Sequence, residues 1–240
     1  LATTLHQQDL MRLSGSFRLA QGTFFIPDFH NLIQNASLEW HTDLTEKKLS
    51  IDNLTLTLSK GTIACPHATA IWDSQFNVSM LHAPLSIHNM FINWKRDFYG
   101  LVYGNLLLNK LPDSPAKLSG LLVLKKSLLK DTFFSQETAQ NFYGPLGGKA
   151  SSSPLPVGLS IRLITEKPVT AKTPALNAAV TLDLTINNIV GKDFYSSPYL
   201  TGAINLDNGY LKFFNNKLQV EQGRIQFVAN HINDPLIDLI

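Results

Sequence analysis

Charge is scarce in this chain. Asp, Glu, Lys and Arg make up 16% of its 240 residues, against roughly 25% in an ordinary soluble domain. The net charge is only +2, and no run of Lys or Arg could track a phosphate backbone, which argues against nucleic acid as a partner. Lys95-Arg96 and Lys125-Lys126 are isolated pairs that fit solvated strand ends. Cysteine is nearly absent: Cys65 alone permits no intramolecular disulfide and says little about redox compartment. Long hydrophobic runs are missing as well. Apolar residues make up 44% of the chain, yet no stretch of about 18 of them could span a bilayer as a helix. The apolar surplus belongs inside a fold or along a groove.

Catalytic motifs are also lacking. The loop from Gly144 to Ser151 looks like a phosphate-binding loop but has Tyr143 at the first glycine position and Ala150 at the hydroxyl position, so it cannot cradle phosphate and magnesium. There is no Gly-x-Ser-x-Gly elbow and no His-Glu-x-x-His. Cys65, His67, His82 and His88 offer ligand chemistry without the close, repeated spacing of zinc sites, and separate side chains explain them better. Asp234 and Asp238 flank a turn and a strand start, where backbone bonding suits them better than acid–base work. The triplets beginning at Asn35, Asn53 and Asn77 are glycosylation-like by chance in an Asn-rich chain. No enzyme activity, cofactor or metal is expected.

What the chain has is alternation. Leu176, Ala178, Val180, Leu182, Leu184 and Ile186 alternate with Asn177, Ala179, Thr181, Asp183, Thr185 and Asn187, as in a long strand with one greasy and one wet face. Leu159, Ile161 and Leu163 repeat the pattern, and a strand beside the first is expected. Leu49 and Ile51 lie on one parity and Leu54, Leu56 and Leu58 on the other; that switch predicts a bulge or a turn near Asp52-Asn53. Asp207-Asn208-Gly209, Asn215-Asn216 and Glu221-Gln222-Gly223 punctuate the last forty residues and predict hairpin turns, because Asn and Gly tolerate positive φ. Only Ser127 to Phe142 has some helical character.

A loose repeat runs through the chain. Leu13-Ser14-Gly15, Leu118-Ser119-Gly120 and Leu200-Thr201-Gly202 open the same template, followed nine positions after the Leu by Gly22, Ser127 and Gly209. The spacings of 105 and 82 residues are too unequal for a strict solenoid. A recurring strand–turn–strand unit is the simplest reading, with the first glycine at a bulge or close backbone approach and the second in the turn; chance in a β-rich sequence is the alternative. The Gly/Ser/Pro cluster from Gly144 to Pro156 reads as a long loop, and Leu111-Pro112-Asp113-Ser114-Pro115 as a shorter one. The expected division is a β-rich segment over 1–143, a loop over 144–157 and a second β segment over 158–240. Beginning at Leu1 and stopping within a strand-like pattern, the chain reads as a piece of a longer protein.

Several elements stand in a telling order. Leu159-Ser160-Ile161-Arg162-Leu163 runs on to Pro168-Val169, and Leu176-Asn177-Ala178-Ala179-Val180 follows. Then come Leu200-Thr201-Gly202 with Gly209, Leu218-Gln219-Val220-Glu221-Gln222-Gly223-Arg224-Ile225-Gln226-Phe227, and Asp234-Pro235-Leu236-Ile237-Asp238-Leu239. From about Leu118 onward this order resembles the C-terminal domain of the TamB family, the translocation and assembly module proteins of the wider AsmA-like group of bridge-like lipid carriers. Before Leu118 only the Leu13-Ser14-Gly15 unit and generic alternation speak for it. Asn215-Asn216-Lys217 stands where the family more often has a Gly-containing turn, and Ser127 where Gly is usual, which bears on turn type.

The resemblance implies an all-β, elongated, curled, antiparallel-rich sheet, open along one side with an apolar concave face. It implies a periplasmic position in a diderm bacterium, with anchoring in the inner membrane by a helix outside this chain. The implied partners are phospholipid acyl chains and an outer-membrane barrel protein of the BamA/TamA type. Two roles stay open: carrying phospholipid, or assisting outer-membrane protein assembly by strand pairing. For a lipid conduit, the expected lining is Leu159, Ile161, Leu163, Val180, Leu182, Leu184 and Ile186, extended by Leu211, Phe213, Leu218, Val220, Ile225 and Phe227. The bland alternative is that these residues form an ordinary sandwich core. An open greasy face would shield acyl chains at about 0.8 kcal/mol per buried CH₂ without any polar ligand.

Overall fold

A computed structural model describes residues 12–20, 24–26, 31–58, 60–94, 98–129, 157–172, 176–188, 199–213, 216–228 and 236–240. The strands are β1 (Arg12–Leu19), β2 (Phe24–Ile26), β3 (Asn31–Asp43), β4 (Lys48–Leu58), β5 (Thr62–Trp72), β6 (Val78–Trp94) and β7 (Phe98–Lys110). They continue as β8 (Ala116–Leu129), β9 (Val157–Thr165), β10 (Val169–Lys172), β11 (Leu176–Asn187), β12 (Tyr199–Phe213), β13 (Asn216–Phe227) and β14 (Leu236–Leu239). All belong to one sheet, and among the described residues no helix interrupts it. The all-β, mostly antiparallel sheet expected from the alternation is what the chain forms.

Neighbours in sequence are neighbours in space almost throughout, as short turns between antiparallel strands require. β9 and β10 pair along different stretches of the same two strands, β8 and β11, so together they fill one strand position. Glu166, Lys167 and Pro168 separate them; Pro168 has no N–H to give the ladder. Thr165 Oγ1 takes up part of the slack by accepting the Leu182 N–H at 3.1 Å. β8 pairs with both β9 and β10 in parallel, which needs a crossover of a dozen residues or more; residues 130–156 supply the length.

The sheet curls. β3 and β6 lie three strand positions apart, about 14 Å in a flat sheet, yet bring Cα atoms within 8 Å of each other. Bulges provide bends of this kind. The register shifts on β4 at Asn53 (φ 57°), on β6 at Asn89 (φ 49°), on β8 at Lys126 (φ 47°) and on β12 at Asn208 (φ 45°). The bulge predicted near Asp52-Asn53 is there, and each such shift restores parity so that apolar residues on both sides of it keep one face.

Three expectations need correction. Asp207-Asn208-Gly209 is not a turn: β12 runs straight through it as a bulge. Glu221-Gln222-Gly223 is likewise internal to β13, where the Glu221 and Gln222 N–H groups both donate to the Ile240 carbonyl. A bulge and a hairpin turn both need positive φ or an extra residue, so the same Asn/Gly wording serves either. Ser127–Leu129, the start of the supposed helical stretch, finish strand β8. The rest of that stretch, with the loop from Gly144 to Pro156, Gly22, Asn215 and Asp234, lies outside the described residues. Two of the first template glycines mark close backbone approaches: a Cβ on Gly120 would overlap the Asn105 carbonyl oxygen and one on Gly202 that of Asp183, whereas one on Gly15 would meet a side chain, the Trp40 indole, at 2.8 Å. Ser127 and Gly209, the second members, follow the positive-φ residues Lys126 and Asn208 in bulges and not in turns.

Candidate functional site

The registers of successive strand pairs chain together into one row that crosses eleven strands. Leu19 lies opposite Ala36, then Leu56, Ile63, Ile87, Gly104, Leu122, Leu163, Leu184, Gly202 and Phe227 follow in turn. Each is apolar or glycine. Directly paired residues of neighbouring strands project from the same face, so this row is a continuous line along the sheet, about 48 Å long at the usual strand spacing. A second row on the same face runs Leu85, Leu106, Gly120, Ile161, Ile186 and Leu200.

Among the described residues, the buried core cluster sits on this face. Val169, Ala171, Leu176, Ala178, Val180, Leu184, Ile204 and Leu206 are each no more than 7% exposed, with Leu182, Leu211, Ile225 and Phe227 packed partly buried against them. Sidedness is cleanest here, because Asn177, Thr181, Asp183, Asn205 and Asp207 alternate with the cluster on β11 and β12. It is less clean on β7 to β9, where Leu107, Leu121, Val123 and Ile164 occupy the opposite face.

Twelve of the thirteen residues expected as lining fall on the apolar face by register. Leu159, Ile161 and Leu163 are half-buried on β9, which lies beside β11 as expected. Val180 and Leu184 are buried, Leu182 and Ile186 half-buried. On the last hairpin Val220 is buried opposite Gly209, and Ile225 faces Ile204. Leu218, opposite Leu211, is 50% exposed, and Phe213 ends β12 opposite Asn216. Sequence reasoning passed over Val169, Ala171, Ile204 and Leu206, although Ile204 and Leu206 alternate with Asn205 and Asp207. It also passed over the upstream row, which becomes visible only once each bulge resets the parity.

The ion pairs lie on the other face. Arg162 Nε and Nη2 donate to the two Asp183 oxygens, each at 2.8 Å, bridging β9 and β11. That guanidinium holds the Asp183 carboxyl below the usual carboxylate range. Asp52 lies between His41 (3.0 Å) and His67 (2.8 Å) on the neighbouring strands, and the hydrogen bond to His67 does most to lower its pKa. Lys125 reaches Glu166 at 3.4 Å and lies over the Tyr103 ring. Cys65 is buried, and burial pushes its thiol pKa up. Cys65, His67, His82 and His88 are not gathered: among the described residues no group of three or more His, Cys, Asp or Glu is placed to hold a metal. The site is a surface of shape and greasiness, with its ion pairs on the reverse side.

The family model of the TamB C-terminal domain matches residues 101–240, which is more than half of the chain and begins in β7, ahead of Leu118. No curated protein and no solved structure matches the chain.

Proposed function

The chain belongs to the TamB family, and from that premise we propose that its apolar sheet face is a conduit for phospholipid acyl chains. The single observation that supports this is the unbroken row from Leu19 to Phe227, apolar or glycine on every strand it crosses. A packed core needs a compact cluster; it does not need a line about 48 Å long that stays apolar or glycine throughout. On this reading the curl faces the apolar side inward, acyl chains lie along it, and head groups stay at the opening where water reaches them. Leu159, Ile161, Leu163, Val180, Leu182, Leu184, Ile186, Leu211, Phe213, Leu218, Val220, Ile225 and Phe227 line its C-terminal half. The longer protein lies in the periplasm of a diderm bacterium, anchored in the inner membrane by a helix outside this chain and meeting an outer-membrane barrel of the BamA/TamA type.

Native mass spectrometry of the purified chain tests this reading, with Leu182→Asp as the paired variant. Leu182 is half-buried, so its carboxylate can keep part of its water and folding survives at a cost of about 1–3 kcal/mol. The wild type carries phospholipid and the folded variant carries much less. Lipid-free wild type would contradict the conduit.

The exposed edge favours a second reading. All of β14 is exposed, with Leu236 at 63% and Ile237 at 62%, and its outer edge pairs with no described strand. A scaffold for barrel assembly would use such an edge to pair with a client strand. Retained client binding by lipid-free protein supports that role over the conduit.

A further inference from the structure

One rim of the sheet carries a set of exposed apolar tips that neither the conduit nor strand pairing uses. The β3–β4, β5–β6 and β7–β8 turns all open on the same side, since Asp43 pairs with Lys48, Lys48 with Ile71, Ile71 with Met80 and Leu81 with Lys110. Each turn presents an apolar side chain to solvent: Leu44 is 42% exposed, Phe76 81% and Leu111 55%. Val78 and Met80, just inside the central turn, are exposed as well. Successive turns are two strands apart, which places the tips about 10 Å from one another.

The central tip is held rigidly in an unfavourable shape. Phe76 has φ 62°, a region that bulky side chains rarely enter. Asp73 fixes the turn by accepting the Gln75 and Asn77 N–H groups at 2.7 and 3.0 Å, and its own N–H donates to the Asn77 carbonyl. The Trp72 N–H donates to the Lys47 carbonyl and ties this hairpin to its neighbour. So much fixing of an exposed phenylalanine gains nothing for the core.

We propose that this rim is a membrane-contact edge that seats Phe76, with Leu44 and Leu111 on either side, in the interfacial zone of a phospholipid bilayer. Separate apolar tips on polar turns suit a deformable surface, whereas a protein partner asks for a continuous complementary patch. The charges choose the kind of lipid. Arg12, Lys47, Lys48 and Lys110 stand along the rim with Asp43, Glu46, Asp73 and Asp113, and Arg12 is already paired with Asp43 at 3.0 Å. A balanced set neither draws the rim to an anionic leaflet nor repels it from one. It matches the paired phosphate and ammonium of zwitterionic head groups.

Flotation of the 240-residue chain with phosphatidylethanolamine/phosphatidylcholine vesicles, at low and high salt, tests this. The chain floats, salt changes the bound fraction little, and Phe76→Ser with Leu111→Ser lowers the partition coefficient about tenfold or more. Circular dichroism and melting of that double variant stay at wild-type values, because both side chains are exposed. Leu182→Asp, which disables the conduit, still floats, so the two ideas fail separately. Absence of flotation, binding unchanged in the double variant, binding lost in Leu182→Asp instead, or binding confined to anionic vesicles and abolished by salt would each overturn the proposal.

Discussion

Leu184 on β11 and Gly202 on β12 face each other directly, and the glycine is there because nothing larger fits. Gly202 has φ 113°, and a Cβ built on it would overlap the carbonyl oxygen of Asp183 beside Leu184. Gly104 (φ 153°), in the same apolar row, repeats the arrangement against the backbone carbonyl of Leu121. These glycines let neighbouring backbones close in where a bending sheet crowds one face.

Gly202→Ala therefore costs about 3 kcal/mol or more, from backbone strain and overlap together. Gly158→Ala is the control: its Cβ would meet nothing closer than 3.6 Å, so stability stays within about 1 kcal/mol of wild type. Urea unfolding of the two variants gives the comparison directly. Equal stabilities would remove the close approach from the account.

The bulges make a second prediction. Lys126 and Asn208 hold φ 47° and 45°, where a side chain other than Gly or Asn costs about 1–2 kcal/mol. Lys126→Gly should leave stability equal or raise it by up to about 1 kcal/mol, while Lys126→Val lowers it by about 1–2 kcal/mol. Thermal melting decides between them. A valine variant as stable as the glycine one would show that the bulge is not built on that conformation.

These positions also show how much of the fold could be read beforehand. The alternation of Leu176 to Ile186 fixed strand, face and neighbour, because burial on one side leaves period-two alternation few other meanings. The parity switch at Asp52-Asn53 located its bulge for the same reason. Asp207-Asn208-Gly209 misled, because positive φ is a local demand that turns and bulges share; the choice between them depends on whether the ladder resumes, which partner strands decide. The long row was illegible for a related reason. Ile63, Ile87 and Leu122 share a face only after bulges on separate strands are counted, and no local window holds that information.

Acid should weaken the chain in a defined window. Asp43, Asp52, Asp73 and Asp183 all have carboxyl pKa values lowered below 3.8 in the fold. A lowered folded value means the contribution is present in full above 3.8 and is lost as pH falls through the folded values. The melting temperature stays level toward about pH 5 and declines below about pH 4. Asp183→Asn removes part of that decline, and only a small part, since the pair is solvent-screened. A variant with an acid limb as steep as wild type would contradict the assignment to Arg162–Asp183.

Face-specific photo-crosslinking in living cells tests the central claim most directly. A photoreactive residue is placed in turn at Leu163 and Leu182, half-buried on the apolar face, and at Arg162 and Asp183, their neighbours on the opposite face. The account predicts phospholipid adducts at Leu163 and Leu182 and almost none at Arg162 and Asp183. Adducts on both faces alike, or on neither while the protein is folded and in place, would contradict it.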